Sequence, residues 1–153
     1  METIRASIAI DTNVLAYGEC VGVDRGHPKQ ILALQVLARF EHLIVPSQVL
    51  FELAHLLNRK TGRSRTEANA TVLNYSKLFT LAPTTASVTI KALNLSTRHH
   101  LQIFDAVIIA ATADAGCRYL LSEDLQSGST ISGVTIINPF VRDNVSVVAE
   151  LLI

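Results

Sequence analysis

The segment Ser7-Ile8-Ala9-Ile10-Asp11-Thr12-Asn13-Val14-Leu15-Ala16-Tyr17 passes from an apolar strand candidate, through a polar turn, into helix-compatible spacing. The same alternation recurs downstream. Gly26-His27-Pro28 is a helix start signal, and Ile31, Leu34, Leu37 and Ala38 follow at helical intervals, so a helix is expected to about residue 40. Leu43-Ile44-Val45 reads as a buried strand stopped by Pro46. Ser47 is then placed to cap a helix reaching about Arg59, with Gly62 ending it. Ser64 or Thr66 opens a helix to about Leu78, before a brief extended stretch over 78–81 and Pro83. Thr84 or Thr85 caps a helix to about His99, and another covers 104–115, closed by Gly116. Residues 119–121 and 134–137 are the last strand candidates.

Short apolar strands separated by amphipathic helices imply an α/β fold with a short parallel sheet between helical layers, because parallel strands require crossover connections. Ligands of such open sheets bind beyond the carboxyl ends of the strands. Asp11 directly follows the first strand, and Asp124 lies three residues past Leu121, so both belong to that edge. An aspartate there serves equally as a turn former or helix cap.

The chain has 153 residues, 49% hydrophobic and 17% charged, which suits one domain over 1–153 with a well-supplied core and excludes a disordered chain. No apolar run approaches the roughly 18 to 20 residues that cross a bilayer. Residues 1–10 lack the basic start, apolar run and cleavage site of a secretory signal, so a cytoplasmic location is expected. Cys20 and Cys117 form neither a disulfide framework nor a zinc motif, and both are expected to be buried small apolar residues. The formal net charge of zero argues against coating nucleic acid by bulk electrostatics. Any such contact must be local.

Two further acids stand out. On the helix after Pro46, Val49, Leu53, Leu56 and Leu57 form an apolar face, and Glu52 shares a polar sector with Gln48 and His55 beside it. Glu52 is therefore either a border residue of the buried side or a solvated flank. Asp105 precedes Ala106-Val107-Ile108-Ile109-Ala110-Ala111, which is apolar around the whole circumference, so its carboxylate opens a buried helix. The helix dipole partly satisfies such a charge; a cation would satisfy it better. Carboxylates brought together repel one another unless a cation compensates. Mg²⁺ or Mn²⁺, which prefer oxygen ligands, suit that role, and such an ion can activate water against a phosphodiester.

Together these segments resemble the PIN-domain nucleases, in particular the VapC-type toxins of toxin–antitoxin pairs. The matching stretches are Ile10-Asp11-Thr12-Asn13-Val14-Leu15-Ala16-Tyr17, Pro46-Ser47-Gln48-Val49-Leu50-Phe51-Glu52-Leu53, Phe104-Asp105-Ala106, and Leu120-Leu121-Ser122-Glu123-Asp124-Leu125-Gln126, with Gly133-Val134-Thr135-Ile136-Ile137-Asn138-Pro139-Phe140 closing the pattern. The resemblance implies a three-layer PIN fold and a ribonuclease using Mg²⁺ or Mn²⁺. It carries the family's acidic positions onto Asp11, Glu52, Asp105 and Asp124 as metal-binding and catalytic residues, supported by Thr12, Asn13 and Ser122. Thr12 or Asn13 serves equally as a helix cap. Many relatives carry another acid just after the last aspartate, where this chain has Leu125-Gln126; Glu123 is the nearest substitute. The resemblance further implies an antitoxin that blocks the acidic pocket and a toxin homodimer. The apolar tail over 145–153 is compatible with an interface or with packing on its own core.

An RNA substrate also needs cations. Arg59, Lys60, Arg63 and Arg65 cluster at one helix end, and Arg98, His99 and His100 at another. Of these, Arg59, Lys60, Arg63 and Arg98 are the candidate substrate-binding residues, although the helix dipole alone also favours cations there. Two rivals remain. A Mg²⁺-dependent phosphatase or phosphotransferase would use Asp11 as nucleophile, yet such enzymes often carry a second aspartate where this chain has Asn13. A receiver-like signalling domain would call for paired acids after the first strand and a later lysine, and neither is present. A PIN fold kept only for binding would be expected to have lost an acid.

Overall fold

The structure is a computed structural model that describes residues 7–153; Met1 to Ala6, part of the stretch read for a secretory signal, lie outside the described residues. The chain runs β1 (Ile8–Ile10), α1 (Thr12–Gly18), α2 (Pro28–Leu37), β2 (Leu43–Pro46), α3 (Ser47–Lys60), α4 (Arg65–Leu78), β3 (Thr80–Ala82), α5 (Ala86–His99), α6 (Ile103–Asp114), β4 (Tyr119–Leu121), β5 (Thr130–Ile131), β6 (Val134–Ile137) and α7 (Val145–Leu151). Single 3₁₀ turns at Phe40–His42 and Arg142–Asn144 lead into β2 and α7. Among the described residues, no helix is long and apolar enough to cross a membrane.

The strands form one sheet in the order β3-β2-β1-β4-β6-β5, parallel except for the β5–β6 pair. Ile8, Ala9 and Ile10 of the central β1 have no exposed surface, as expected of a strand covered on both faces. Successive connections lead from β1 to β2 and β3 on one side, whereas β4 lies on the other. The β1/β4 boundary is therefore the topological switch point, where open α/β sheets place their crevice. Register completes the geometry. Ile10 pairs with Leu121, so the next residues, Asp11 and Ser122, face each other at the carboxyl edge.

Local chemistry accounts for the helix ends. Ser64 Oγ accepts from the Glu67 N–H while the Glu67 carboxylate accepts from the Ser64 N–H, a reciprocal cap that starts α4. Thr85 caps α5, and His27 Nδ1 accepts from Lys29 N–H at the start of α2. Ser47 does not cap α3. Pro46 still pairs with Ala82 in the sheet and has extended ψ, so the helix begins directly after it with no side-chain cap. β1 pairs with β2 only as far as Ile44, so Pro46 lies past that ladder, where its missing N–H costs no β1–β2 bond.

Three expectations about burial are corrected. In α2 the buried stripe is Gln30, Ala33, Val36 and Leu37, leaving Ile31 and Leu34 each 46% exposed. Both stripes have helical spacing. Gly18 of α1 has no side chain and lies close against α2: a Cβ there would meet Leu37 Cδ1 at 2.9 Å and Leu34 Cδ2 at 3.7 Å. Cys20 is exposed in a turn with φ 61°, whereas Cys117 is buried and its thiol is pushed up to about 11 by desolvation. In α3 the buried face is Val49, Leu50, Leu53 and Leu57, and Leu56 is left half-buried on its flank beside Glu52.

The short β5 was not anticipated. It returns onto β6 through Ser132-Gly133, both with positive φ, which is the backbone of a two-residue hairpin turn. The apolar tail forms α7 and seats Val148 and Leu152 in the core, which favours the self-packing alternative for those residues.

Candidate functional site

At the switch point, Asp11 is the last extended residue before α1 and is only 3% exposed. Its backbone N–H donates to Leu121 O at 2.9 Å, continuing the β1–β4 ladder past the strand ends. One carboxylate oxygen accepts from the Thr12 N–H at 2.7 Å, and the other accepts from Ser122 Oγ at 2.6 Å. Ser122, itself fully buried, also accepts from the N–H groups of Asp124 and Leu125 at 3.3 and 3.4 Å. One hydroxyl thus ties Asp11 to the loop carrying Asp124.

The other acids arrive on separate elements. Glu52 stands on α3, and its carboxylate accepts from Thr12 Oγ1 at 2.7 Å and from Gln48 Nε2 at 3.4 Å. Asp124 accepts from Asn13 Nδ2 at 3.2 Å, while Asn13 Oδ1 receives the Glu123 N–H at 3.2 Å. Thr12 and Asn13 therefore orient two acids from the first turn of α1; the residue that caps that helix is Asp11 itself. Asp105 lies in the first turn of α6 and is half-buried. Glu52, Asp105 and Asp124 line one open pocket of about 590 Å³ with Gln48, Phe51, His55, Leu56, Gln102 and Phe104. Asp11, being buried, is not among the lining residues.

Electrostatics show how closely the acids are drawn together. Burial lifts the Asp11 carboxyl to about 6. Hydrogen bonds from Ser122 and Thr12 oppose that rise, and the negative charges of Glu52 and Asp105 add to it. Asp105 is also raised, first by desolvation and then by Glu52 and Asp124. Among the described residues, no Lys, Arg or His forms an ion pair with any of these four carboxylates. The cluster is an uncompensated negative site built from hard oxygen donors.

That donor set fits Mg²⁺ or Mn²⁺. No group of three or more His, Cys, Asp or Glu among the described residues forms a ready-made cage. Mg²⁺ requires none, since it retains several waters and takes one or two carboxylates directly.

Glu123 is committed elsewhere. Its carboxylate pairs with Lys29 Nζ at 2.8 Å and accepts from the Tyr17 hydroxyl, and Tyr17 packs edge-on against Phe140 with ring centroids 5.0 Å apart. It cannot replace the acid absent at Leu125-Gln126 without breaking that network. Glu123→Gln is expected to cost on the order of 1 kcal/mol of stability, as for a partly exposed ion pair, and to leave any nuclease activity within about threefold. Thermal melting and a cleavage time course check both parts; a loss beyond tenfold would return Glu123 to the site.

The cations expected to meet RNA do not line the acidic pocket. Arg59 and Lys60 are exposed in the last turn of α3; Arg59 lies two turns from Glu52 on the same face, roughly 10 Å along the axis. Arg63 is half-buried and pairs with Glu19 at 3.0 Å. Arg98 lines a different groove with Lys91 and Asn94. Conversely, the sequence reading did not single out Gln102, Phe51 or Phe104. The available signal was that each phenylalanine directly precedes an acid, and that Phe51 lies off the apolar stripe of α3.

This architecture has close counterparts among solved structures. VapC20 of Mycobacterium tuberculosis, described as a sarcin-ricin loop cleaving toxin, is 23% identical with a TM-score of 0.61, covering 77% of this chain and 92% of that one. FitAB bound to a DNA fragment is 17% identical with a TM-score of 0.64, covering 88% and 96%. VapBC2 of Rickettsia felis, bound to a fragment of its promoter, is 16% identical with a TM-score of 0.59, covering 86% and 97%. Identities this low show shared fold alone. No curated protein matches the chain. The PIN-domain family model matches residues 8–126, most of the chain and three of the four acids' elements together with the strand and loop that carry the last, and on that match the chain belongs to the PIN-domain family.

Proposed function

We propose that this protein is a Mg²⁺- or Mn²⁺-dependent endoribonuclease and the toxin of a toxin–antitoxin pair, with Asp11, Glu52, Asp105 and Asp124 as its metal-binding and catalytic acids. The observation that carries the reading is the convergence of these carboxylates at the sheet's switch point without a cationic partner among the described residues. Family membership supports the nuclease class. A bound divalent ion would neutralise charge on the phosphodiester and acidify an attacking water.

The chain's own groups have separable tasks. Asp11, held at both oxygens, is the fixed, buried acid at the strand end beside Glu52 and Asp105. Thr12 and Gln48 aim Glu52, and Asn13 aims Asp124, so two of the acids lining the pocket are held by neighbouring side chains. Supports of this kind hold acids in position against mutual repulsion. The phosphatase alternative fits less well, because a nucleophilic Asp11 would have to reach substrate while 3% exposed and bonded at both oxygens.

Two partners are part of the proposal. Several similar structures are toxin–antitoxin complexes, including one from Klebsiella pneumoniae, which supports a cognate antitoxin for this chain. A toxin homodimer in the cytoplasm is the accompanying assembly. The test is incubation of the purified protein with structured and single-stranded RNA in Mn²⁺ or Mg²⁺. Cleavage that stops with EDTA and returns with metal is expected; cleavage that persists in EDTA overturns the mechanism.

A further inference from the structure

The proposed chemistry leaves two aromatic rings at the pocket unused. Phe51 directly precedes Glu52 on α3, Phe104 directly precedes Asp105 on α6, and both line the same 590 Å³ pocket. They are 71% and 56% exposed, the two most exposed phenylalanines among the described residues. Phe79, by contrast, is buried, and Phe140 packs against Tyr17. Phenylalanine left in water forgoes the burial that places it in most cores. Core packing of α3 does not explain Phe51, which lies away from the Val49–Leu50–Leu53–Leu57 face.

We propose that Phe51 and Phe104 form a stacking platform for an unpaired nucleobase next to the phosphate held at the acids, with Gln48 and Gln102 within the same pocket to meet the base edge. The proposal rests on the ribonuclease reading and deepens it. Every base has a π-face, and stacking on aromatic side chains is the usual means of holding single-stranded nucleic acid with little sequence preference. A duplex keeps its bases stacked internally and cannot offer one. With zero net charge, this chain lacks the general electrostatic attraction that otherwise supplies affinity. Stacking fills that gap and selects looped or single-stranded RNA.

A protein partner would also cover exposed rings, but the surroundings favour a nucleotide. The proposed antitoxin must bring a cation to the acids and must leave before RNA enters, so the rings face substrate in the active state; a purely apolar partner would bury carboxylates that lack cationic partners among the described residues. A nucleotide instead brings its base to the rings and its phosphate, with the cation, to the acids.

The test uses a single-stranded octaribonucleotide carrying 2-aminopurine at each position in turn, titrated with full-length protein in the Asp11→Asn background with Mn²⁺. Phe51→Leu and Phe104→Leu remove the ring but keep an apolar side chain at an exposed site, whereas Phe51→Tyr and Phe104→Tyr keep a ring. Fluorescence is expected to be quenched at one or two positions. Each leucine variant should lose that quench and bind about tenfold more weakly, and each tyrosine variant should retain it. In the otherwise wild-type chain, KM for the same RNA should rise about tenfold with kcat little changed. Unchanged quench and affinity in the leucine variants overturn the platform. So does a change in sedimenting mass with RNA binding intact, which would assign the rings to a protein interface. Quenching without any cleavage by the wild type keeps the platform and overturns the ribonuclease reading; cleavage with no phenylalanine-dependent quench does the reverse.

Discussion

Asp11→Asn is expected to lower metal-dependent RNA cleavage by about a thousandfold or more while the protein stays folded, a loss of roughly 4 kcal/mol of transition-state stabilisation. The substitution removes charge while nearly preserving shape. Asparagine's carbonyl oxygen can still accept from the Thr12 N–H, while its amide replaces an acceptor of the Ser122 hydroxyl by a donor; Ser122 Oγ already takes the Asp124 and Leu125 N–H groups at 3.3 and 3.4 Å, so one of these long bonds is displaced, at a cost on the order of 1 kcal/mol. Alanine would be a poorer test, because it leaves the buried Ser122 hydroxyl and the Thr12 N–H without their partner and mixes loss of fold with loss of chemistry. Far-ultraviolet circular dichroism and a melting curve establish the fold, and a cleavage time course with Mn²⁺ measures the activity. A variant within tenfold of wild type would remove Asp11 from the metal-binding set. Asp105→Asn is expected to behave alike in cleavage with a smaller effect on stability, since Asp105 is only half-buried.

The second large effect concerns pH and metal together. The Asp11 carboxyl titrates at about 6 in the folded protein, above its ordinary 3.8. The folded state therefore holds this proton more tightly than the unfolded chain does. Its contribution is fully present below about pH 4, declines as pH rises and is lost above about pH 6. A shift of about two units corresponds to the order of 3 kcal/mol. Metal-free protein should thus be less stable at pH 7.5 than Asp11→Asn, with the difference vanishing near pH 4. On the proposed mechanism a divalent ion would bind the ionised carboxylates, so its stabilisation should grow from pH 5 to pH 8. Melting temperatures against pH, in EDTA and in Mn²⁺, for wild type and variant, decide the matter. The prediction fails if the two proteins show parallel curves in EDTA, or if Mn²⁺ leaves wild-type melting unchanged at pH 7.5.

The alternation of strands and helices was legible from the residues alone, because the change from short apolar runs to helical spacing is local and several boundaries carry their own cap or breaker. Ser64 with Glu67, Thr85 and Gly116 end or start helices by chemistry among near neighbours. The sequence also placed Asp11 and Asp124 at one sheet edge, since a residue following a parallel strand must lie there. Which face of α2 is buried was not legible, because Ile31–Leu34 and Ala33–Val36 have the same periodicity and only the packing of the helix in the folded chain chooses between them. Exposure of Cys20 and the short β5 likewise depend on positive-φ turns whose side chains carry weak local signals.

At the acidic pocket the division is sharper. Residue type and order named the acids, and family resemblance grouped them. Tertiary structure alone brought Ser122 onto Asp11, through the Ile10–Leu121 register, and put Thr12 against Glu52 across forty positions of chain. It also withdrew Glu123 into its pair with Lys29 and set Phe51 and Phe104 at the pocket's edge. Those outcomes arise from contacts between segments far apart in sequence, and no local periodicity encodes a distance of that kind.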